Sequence, residues 1–162
     1  MTTSNLKVAV VAANGRTGQL IVSEALGRGL DVTAVVRGEN RSAARKCLSS
    51  DALELTAEDL AGFDVVVEGP DFPEDWKPLS AAHGAALADL RSRSDVRWTY
   101  VSPAADFVAD GERTGAYTLA GEELTLNAAG ASTVSYADYA IAIVDLAESG
   151  EHVCERVSVV SK

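Results

Sequence analysis

A short glycine turn near the start of the chain has the residue types and the position to bind a phosphate. Gly15 and Gly18 flank Arg16 and Thr17, and the turn follows an apolar, valine-rich run over residues 7–13. If that run is a strand and a helix follows the turn, free backbone N–H groups at the positive end of the helix favour an anion there. Because the turn follows the first predicted strand, the pyrophosphate of a dinucleotide is the expected anion.

An arginine at the end of the next predicted strand would choose between the two common dinucleotides. Arg37 lies 22 positions after Gly15, where a site for NAD usually carries an acid that binds the ribose 2′-hydroxyl. A guanidinium suits a 2′-phosphate instead, because it forms charge-assisted hydrogen bonds with phosphate oxygens. Arg16, in the adjacent turn, is expected to bind the same phosphate. The sequence therefore predicts NADP(H) as the cofactor, and the alternative is two solvated arginines.

One residue of the turn departs from the usual glycine pattern. Ala12 occupies the first glycine position of AANGRTG, and its Cβ narrows the room for the turn. We expect Ala12 to keep a negative φ, because positive φ is readily available only to glycine. If the Cβ blocks the turn, the chain is instead an interaction protein that binds no nucleotide.

The elements that must position this turn alternate between strands and helices. Apolar or β-branched runs predict buried parallel strands over residues 7–13, 31–37, 63–67 and 98–101, with a short last strand over 153–160. Helical spacing and cap residues predict helices over residues 19–28 and 79–92 and from the Ser135 cap through SYADYAIAIVDLAESG. This alternation is typical of an α/β fold with a Rossmann-like, doubly wound parallel sheet in three αβα layers.

Other segments carry weaker patterns. Residues 42–50 could form a short helix and residues 52–55 a short strand, and Thr56 is a predicted helix N-cap with Asp59 at the capping-box spacing. Three prolines predict a surface loop over residues 68–78. Residues 117–128 are expected to form paired extended segments.

Composition limits the classes of protein and partner. The 162 residues fit one domain spanning residues 1–162, and the net charge of −10 repels nucleic acid and anionic membrane surfaces. The two cysteines, Cys47 and Cys154, have no metal or redox spacing, so no metal site is predicted. With no cleavable leader and no long apolar run, a cytoplasmic location is the expectation.

The motifs together resemble one known family. KVAVVAANGRTGQLIVSEAL, DVTAVVR, LTAEDLAGFDVVV, DFPEDWKP, WTYVSPAADF, GERTGAY and SYADYAIAIVDLAE are similar to the NAD(P)H-binding, flavin-reductase-like branch of the atypical short-chain dehydrogenases. The resemblance spans almost the whole chain. It implies a Rossmann protein that binds NADP(H) and an oxidoreductase that passes hydride to a flavin or similar acceptor.

The resemblance also assigns residues. Asn14, Gly15, Arg16, Thr17 and Gly18 match the family's phosphate loop, and Arg37 matches the 2′-phosphate contact. The segment beside the nicotinamide corresponds to Ser102, Pro103 and Ala104. One departure is large, because the family continues from its fourth strand into a helix and a fifth strand, whereas this chain passes from VVV directly to EGPDFPEDW. About one αβ unit is absent, and with it one wall of the nicotinamide pocket.

No catalytic residue is assigned. None of the four lysines follows a tyrosine by four positions, so the tyrosine and lysine pair of ordinary short-chain dehydrogenases is absent. Reduction of a carbonyl needs such an acid, whereas a flavin or quinone can take its proton from solvent. His83 and His152 are the remaining candidate proton donors. The expected partner is therefore a flavin or quinone-like small molecule, and the alternatives are a non-catalytic NADP(H) sensor and a shortened relic. The oligomeric state is open, with a homodimer among the alternatives.

Overall fold

The computed structural model describes residues 5–68 and 76–162, and the side chains of all these residues except 76–82. Its first part is a βαβ unit made of strand β1 (Lys7–Val11), helix α1 (Arg16–Gly27) and strand β2 (Asp31–Val36). The two strands are parallel, with Lys7 opposite Asp31 and Val11 opposite Val35. Strand β1 has partners on both edges, which explains why its run of valines and alanines is buried.

The remaining elements follow in chain order. After β2 come strand β3 (Lys46–Ser49), a 3₁₀ turn (Ala52–Glu54), helix α2 (Ala57–Leu60), strand β4 (Val65–Glu68) and helix α3 (Trp76–Ser92). The second half contains strands β5 (Thr99–Pro103), β6 (Asp106–Val108), β7 (Tyr117–Ala120) and β8 (Thr133–Ser135), helix α4 (Tyr136–Ser149) and strand β9 (Glu155–Ser161).

The sheet is divided into separate pieces. Four parallel strands lie in the order β3-β2-β1-β4, which is the arrangement of one half of a doubly wound sheet. A second sheet has the order β5-β9-β7, with β5 parallel and β7 antiparallel to β9. Strands β6 and β8 form a parallel pair. The predicted α/β fold is confirmed, but β4 and β5 do not pair within the described chain.

The core lies chiefly on one face of the four-stranded sheet. Helix α1 buries Ile21, Val22 and Ala25 against the strands, and α4 adds Ala140 and Val144 to the same cluster. A smaller cluster joins α4 to the second sheet through Ala142, Val159 and Val160. Helix α4 therefore contacts both halves of the fold, with α1 as its main partner in the first half and β8 and β9 in the second.

The caps predicted for two helices are confirmed. The Thr56 hydroxyl accepts a hydrogen bond from Asp59 N, and the Asp59 carboxylate accepts one from Thr56 N. At the start of α4, Ser135 Oγ accepts a hydrogen bond from Asp138 N at 3.0 Å. Side-chain oxygens thus satisfy N–H groups that the first helical turn leaves without backbone partners.

Two predictions for the segment after β2 are wrong. Residues 42–50 contain β3 in place of a helix, because Lys46–Ser49 pairs in parallel with β2. Residues 52–55 form a 3₁₀ turn in place of a strand, because the Asp51 carboxylate accepts a hydrogen bond from Leu53 N at 3.0 Å. In the first segment, strand pairing outweighs a weak helix propensity. In the second, a local side-chain cap outweighs a weak strand propensity.

Two further boundaries differ from the predictions. Helix α3 begins at Trp76, three residues before the predicted start, because Pro78 falls in the first turn, where a missing N–H costs little. The predicted loop over residues 68–78 is therefore shorter, and its residues 69–75 lie outside the described chain. Of residues 117–128 only β7 is paired as a strand. The Asn127 side chain accepts hydrogen bonds from Ala129 N and Ala131 N and closes a turn at the end of this segment.

Candidate functional site

The glycine turn joins β1 to α1 with the positive end of the helix open. Gly15 N donates a hydrogen bond to the Ala12 carbonyl at 2.9 Å, which closes the turn. Gly15 is the N-cap of α1, and neither a side-chain cap nor an acidic residue occupies the first helical turn. The N–H groups of the first turn therefore have no side-chain acceptor, and the helix end suits an anion.

The prediction for Ala12 is wrong. Its φ is +55°, so Ala12 adopts the left-handed conformation that we expected it to avoid. Gly15, by contrast, has a φ of −65°. The residue with the unfavourable backbone is thus the alanine, while the neighbouring glycine does not use its extra freedom. The turn forms nevertheless and carries local strain at Ala12.

Replacing Ala12 by glycine is expected to stabilise the protein. The change removes a Cβ from a left-handed residue, and the free energy of unfolding should rise by about 0.5–1 kcal/mol, since the gain is partly offset by the greater freedom of glycine in the unfolded chain. Urea denaturation measures the difference. Ala13→Gly is the matched control, because Ala13 is buried and does not have a positive φ. That variant should lose stability, and a loss in Ala12→Gly as well would contradict the strain at position 12.

Gly18 is needed for the close approach of α1 to the turn. A Cβ built at Gly18 would lie 2.4 Å from the Ala12 carbonyl oxygen and 3.0 Å from Ala13 Cα. Both are backbone atoms, so no side-chain rotation could relieve the contact. The second glycine of the turn therefore has a packing role.

Asn14 ties the phosphate turn to the loop that follows β2. Its Nδ2 donates to the Glu39 carbonyl at 2.8 Å, and its Oδ1 accepts from Arg41 N at 2.7 Å. Its own carbonyl accepts from Gln19 Nε2 at 2.8 Å. These bonds hold the loop after β2 beside the turn, and that loop carries the predicted 2′-phosphate contact.

Two arginines of this loop line one large cleft together with the phosphate turn. Arg37 is 74% exposed in its side chain, and its Nε lies 3.9 Å from a carboxylate oxygen of Asp51. Arg41 lines the same cleft. Arg41 was not predicted from the sequence, although its place in the same turn-like loop, four residues after Arg37, was a usable signal.

Arg16 lies elsewhere. Its guanidinium forms an ion pair with Asp110 at 2.6 Å and stands over the ring of Tyr136, 5.9 Å from the ring centroid. The structure therefore does not place Arg16 beside Arg37 on a shared phosphate. Asp110 is distant from Arg16 in sequence, so no local spacing predicted this ion pair.

The carboxyl end of β5 forms another part of the cleft. Ser102 Oγ accepts a hydrogen bond from Arg156 Nε at 3.1 Å, and Ala104 is buried. The predicted site residues that the structure brings together around the cleft are Ala12, Asn14, Gly15, Arg37, Ser102, Pro103 and Ala104. Arg16, Thr17 and Gly18 contribute backbone at the helix end but do not line it.

The titratable groups near β5 already have partners. His83 Nδ1 lies 2.9 Å from the Tyr100 hydroxyl, and burial raises the pKa of Tyr100. The Tyr139 hydroxyl donates to the Val101 carbonyl at 2.9 Å, and burial raises its pKa as well. Both phenols are therefore neutral near pH 7. His152 pairs with Glu155 at 2.9 Å, outside the lining of the cleft.

The described residues include neither a helix long and apolar enough to cross a membrane nor a group of side chains suited to a metal ion.

The cleft encloses about 2270 Å³ and continues from the phosphate turn to the space between β4 and β5. Small-molecule sites usually enclose about 300–1,000 Å³, so the cleft exceeds what one small ligand fills.

A parallel half-sheet in the order β3-β2-β1-β4, a glycine turn and an open helix end define a Rossmann-like protein of the dinucleotide-binding class. The chain is 32% identical to the uncharacterized Bacillus subtilis protein YwnB over 211 residues, covering 97% of this chain and 99% of YwnB. It is 40% identical to SP1627 from Streptococcus pneumoniae, described as a candidate NADH-flavin reductase, with a TM-score of 0.90 and coverage of 98% and 100% of the two chains.

The chain belongs to the NAD(P)H-binding, flavin-reductase-like branch of the atypical short-chain dehydrogenases. A candidate epimerase from Bacteroides thetaiotaomicron shares the fold, with 24% identity, coverage of 98% of each chain and a TM-score of 0.83. No family model matches the chain. The alignment with YwnB is longer than this chain of 162 residues, so part of that relative has no counterpart here. This agrees with the expected loss of an αβ unit.

Proposed function

We propose that this protein binds NADP(H) and passes hydride from NADPH to a flavin. The observation that carries the proposal is the junction made by Asn14, which holds the loop of Arg37 and Arg41 beside the open end of α1. Pyrophosphate and 2′-phosphate are bound at two such neighbouring positions in NADP-binding Rossmann proteins. The similarity to SP1627, described as a candidate NADH-flavin reductase, supports the flavin as acceptor.

Each part of the cleft has a role in this proposal. Backbone N–H groups of Arg16, Thr17 and Gly18 hold the pyrophosphate, while the Gly15 N–H closes the turn on the Ala12 carbonyl. Arg37 and Arg41 bind the 2′-phosphate. Asp51 keeps Arg37 over the cleft, because their charges attract at 3.9 Å. Ser102, Pro103 and Ala104 form the surface beside the nicotinamide.

The bound nicotinamide would supply the reducing equivalents as a hydride. In the balanced reaction NADPH, oxidised flavin and one proton give NADP⁺ and reduced flavin. The proton comes from water, so the chain needs no acid of its own at the reacting atoms. This agrees with the hydroxyls of Tyr100 and Tyr139, which are engaged by His83 and by the Val101 carbonyl.

Replacing Arg37 by glutamine is expected to weaken NADPH far more than NADH. The loss of a charge-assisted hydrogen bond to the 2′-phosphate should cost about 1.5–3 kcal/mol, which is roughly a 10- to 150-fold rise in the Kd for NADPH. Glutamine is preferable to aspartate, because a new acid would face Asp51 and add repulsion of its own. Fluorescence titration with each cofactor measures the two affinities.

Arg45→Gln is the matched control, because Arg45 is exposed nearby and does not line the cleft. Its affinities for both cofactors should match those of the wild type. Equal losses for NADPH and NADH in Arg37→Gln would contradict the role of Arg37 as the cofactor-selecting residue.

Turnover is tested by mixing the protein with NADPH and FMN and following the nicotinamide absorbance, with a quinone as a second acceptor. The proposal expects oxidation of NADPH above the rate in free solution.

A second candidate function is a non-catalytic NADP(H) sensor. It is favoured because one edge of β4 and one edge of β5 have no partner strand among the described residues, which leaves the nicotinamide side of the cleft open. Tight binding of NADPH without turnover would select the sensor.

A further inference from the structure

Two strand edges face the cleft without a partner strand among the described residues. Strand β4 pairs with β1 on one side only, and β5 pairs with β9 on one side only. Consecutive residues of both strands line the same cleft. Backbone N–H and C=O groups of each strand alternate in direction, so about half of them point away from the existing partner. We call the space between β4 and β5 the strand slot.

The strand slot is lined by apolar side chains of the kind that are normally buried in a parallel sheet. Val65, Val66 and Val67 are the first three of the four residues of β4, yet Val66 is 42% exposed. Leu90 of α3 and Leu146 of α4 line the same cleft. An exposed, valine-rich strand edge is a template for pairing with another chain, and proteins ordinarily cover or blunt such an edge.

The strands that the structure describes do not let a second copy of this chain fill the slot without refolding. A strand that enters between β4 and β5 must have both of its edges free. Every described strand already has at least one partner, including the outermost strands β3 and β7 and the pair β6 and β8. A second copy could therefore cover one edge of the slot but could not bridge both.

Charge also favours a different chain. The protein carries a net charge of −10, so two copies repel each other. Among the described residues that line the cleft are six carboxylates and four guanidinium groups, with Glu68 at the end of β4. An apolar strand flanked by lysines would complement both the apolar slot and the negative charge around it.

We propose that the strand slot binds an extended, β-branched segment of a separate polypeptide with basic flanking residues. The segment pairs with β4 on one edge and β5 on the other and joins the two sheets. The slot strands have four and five residues, so a bound segment of about five residues, roughly 17 Å long, matches them. In binding by strand addition, main-chain hydrogen bonds supply the affinity, and the apolar surfaces on the two faces of the bound strand select its side chains. This inference does not depend on the proposed reductase activity.

The test uses the full chain and the fluorescein-labelled peptide Lys-Thr-Val-Ile-Val-Thr-Lys. Its control has proline in place of the isoleucine, because proline removes an N–H from the middle of the strand. Fluorescence anisotropy should show saturable binding of the first peptide and at least about tenfold weaker binding of the second. Hydrogen exchange should slow at the amides of both β4 and β5 when the first peptide is bound.

A pair of protein variants locates the binding. Val66→Lys places a charge on β4 and should raise the Kd of the peptide at least about tenfold. Leu124→Lys changes a residue that is 74% exposed and outside the cleft lining, and it should leave the affinity unchanged. Should Val66→Lys fail to fold, the proline peptide with the wild-type protein still decides.

Three results would overturn the proposal. One is equal binding of the two peptides, and another is slowed exchange at only one of the two strands. The third is a dimer of the protein alone, seen by sedimentation, with exchange already slow at both strands, because the slot would then be filled by a second copy.

Discussion

Replacing Gly18 by alanine is expected to destabilise the protein and to remove cofactor binding together. The new Cβ would lie 2.4 Å from the Ala12 carbonyl oxygen, so α1 must move away from the turn. Overpacking of this kind costs about 1–3 kcal/mol, and we expect about 2–3 because the contact is with backbone. Moving α1 also misplaces the N–H groups that hold the pyrophosphate, so the Kd for NADPH should rise more than tenfold. Urea denaturation and fluorescence titration measure the two effects.

Gly27→Ala in the same helix is the matched control. A Cβ at Gly27 meets nothing within 4 Å, and alanine favours a helix more than glycine does. This variant should keep the wild-type affinity for NADPH and lose no stability. If Gly18→Ala behaved in the same way, the close approach of α1 to the turn would not be needed for the site.

Replacing Asp138 by asparagine is expected to cost about 2–3 kcal/mol of stability, because hydrogen bonds to a buried charged group are strong. Asp138 is 1% exposed, although it lies in the first turn of α4. Its carboxylate accepts hydrogen bonds from Thr114 N at 2.9 Å, Thr114 Oγ1 at 2.5 Å and Gly115 N at 2.9 Å. Asparagine keeps the volume but loses the charge and turns an NH₂ group toward donors.

The loss should appear locally as well as globally. Amides of residues 111–116 are expected to exchange faster in Asp138→Asn, because that loop is tied to α4 through this carboxylate. Asp89→Asn, at an exposed position of α3, is the control, and its free energy of unfolding should lie within about 0.5 kcal/mol of the wild-type value. A change of that small size in Asp138→Asn would show that the loop keeps its place without the charged acceptor.

The first half of the fold could be predicted from the sequence because its signals are local. The valine-rich run of β1, the glycine turn and the stop at Gly29 lie within one short βαβ unit, and the structure contains all of them. The Thr56 and Ser135 caps were predictable for the same reason, since each bond joins residues three positions apart. Resemblance to a known family supported the same expectation of a Rossmann-like parallel sheet, whereas the order of the strands appears only in the structure.

The division of the sheet could not be predicted in this way. The resemblance implied that an αβ unit is absent, but whether β4 and β5 close the gap depends on contacts between distant segments. Within the part of the chain that the structure describes, β4 and β5 do not pair with each other, and helix α4 links the two halves. Strand pairing is set by tertiary contacts, which a pattern along one segment does not contain.

The candidate site was predicted in part. The turn and Arg37 followed from position, while Asn14 was assigned by resemblance, and its bonds to Glu39 and Arg41 appear only in the structure. The ion pair between Arg16 and Asp110 joins residues 94 positions apart, so no local spacing could indicate it. The left-handed φ of Ala12 was opposite to the expectation, because the geometry of the turn outweighs the preference of one residue.

A calorimetric titration of the wild-type protein with NADPH and with NADH tests the central claim most directly. The account predicts one binding site per chain for NADPH, and an affinity for NADH at least about tenfold lower because NADH has no 2′-phosphate for Arg37 and Arg41. Binding of neither cofactor would contradict a dinucleotide site at the glycine turn, and equal affinities would contradict the selection of NADP(H).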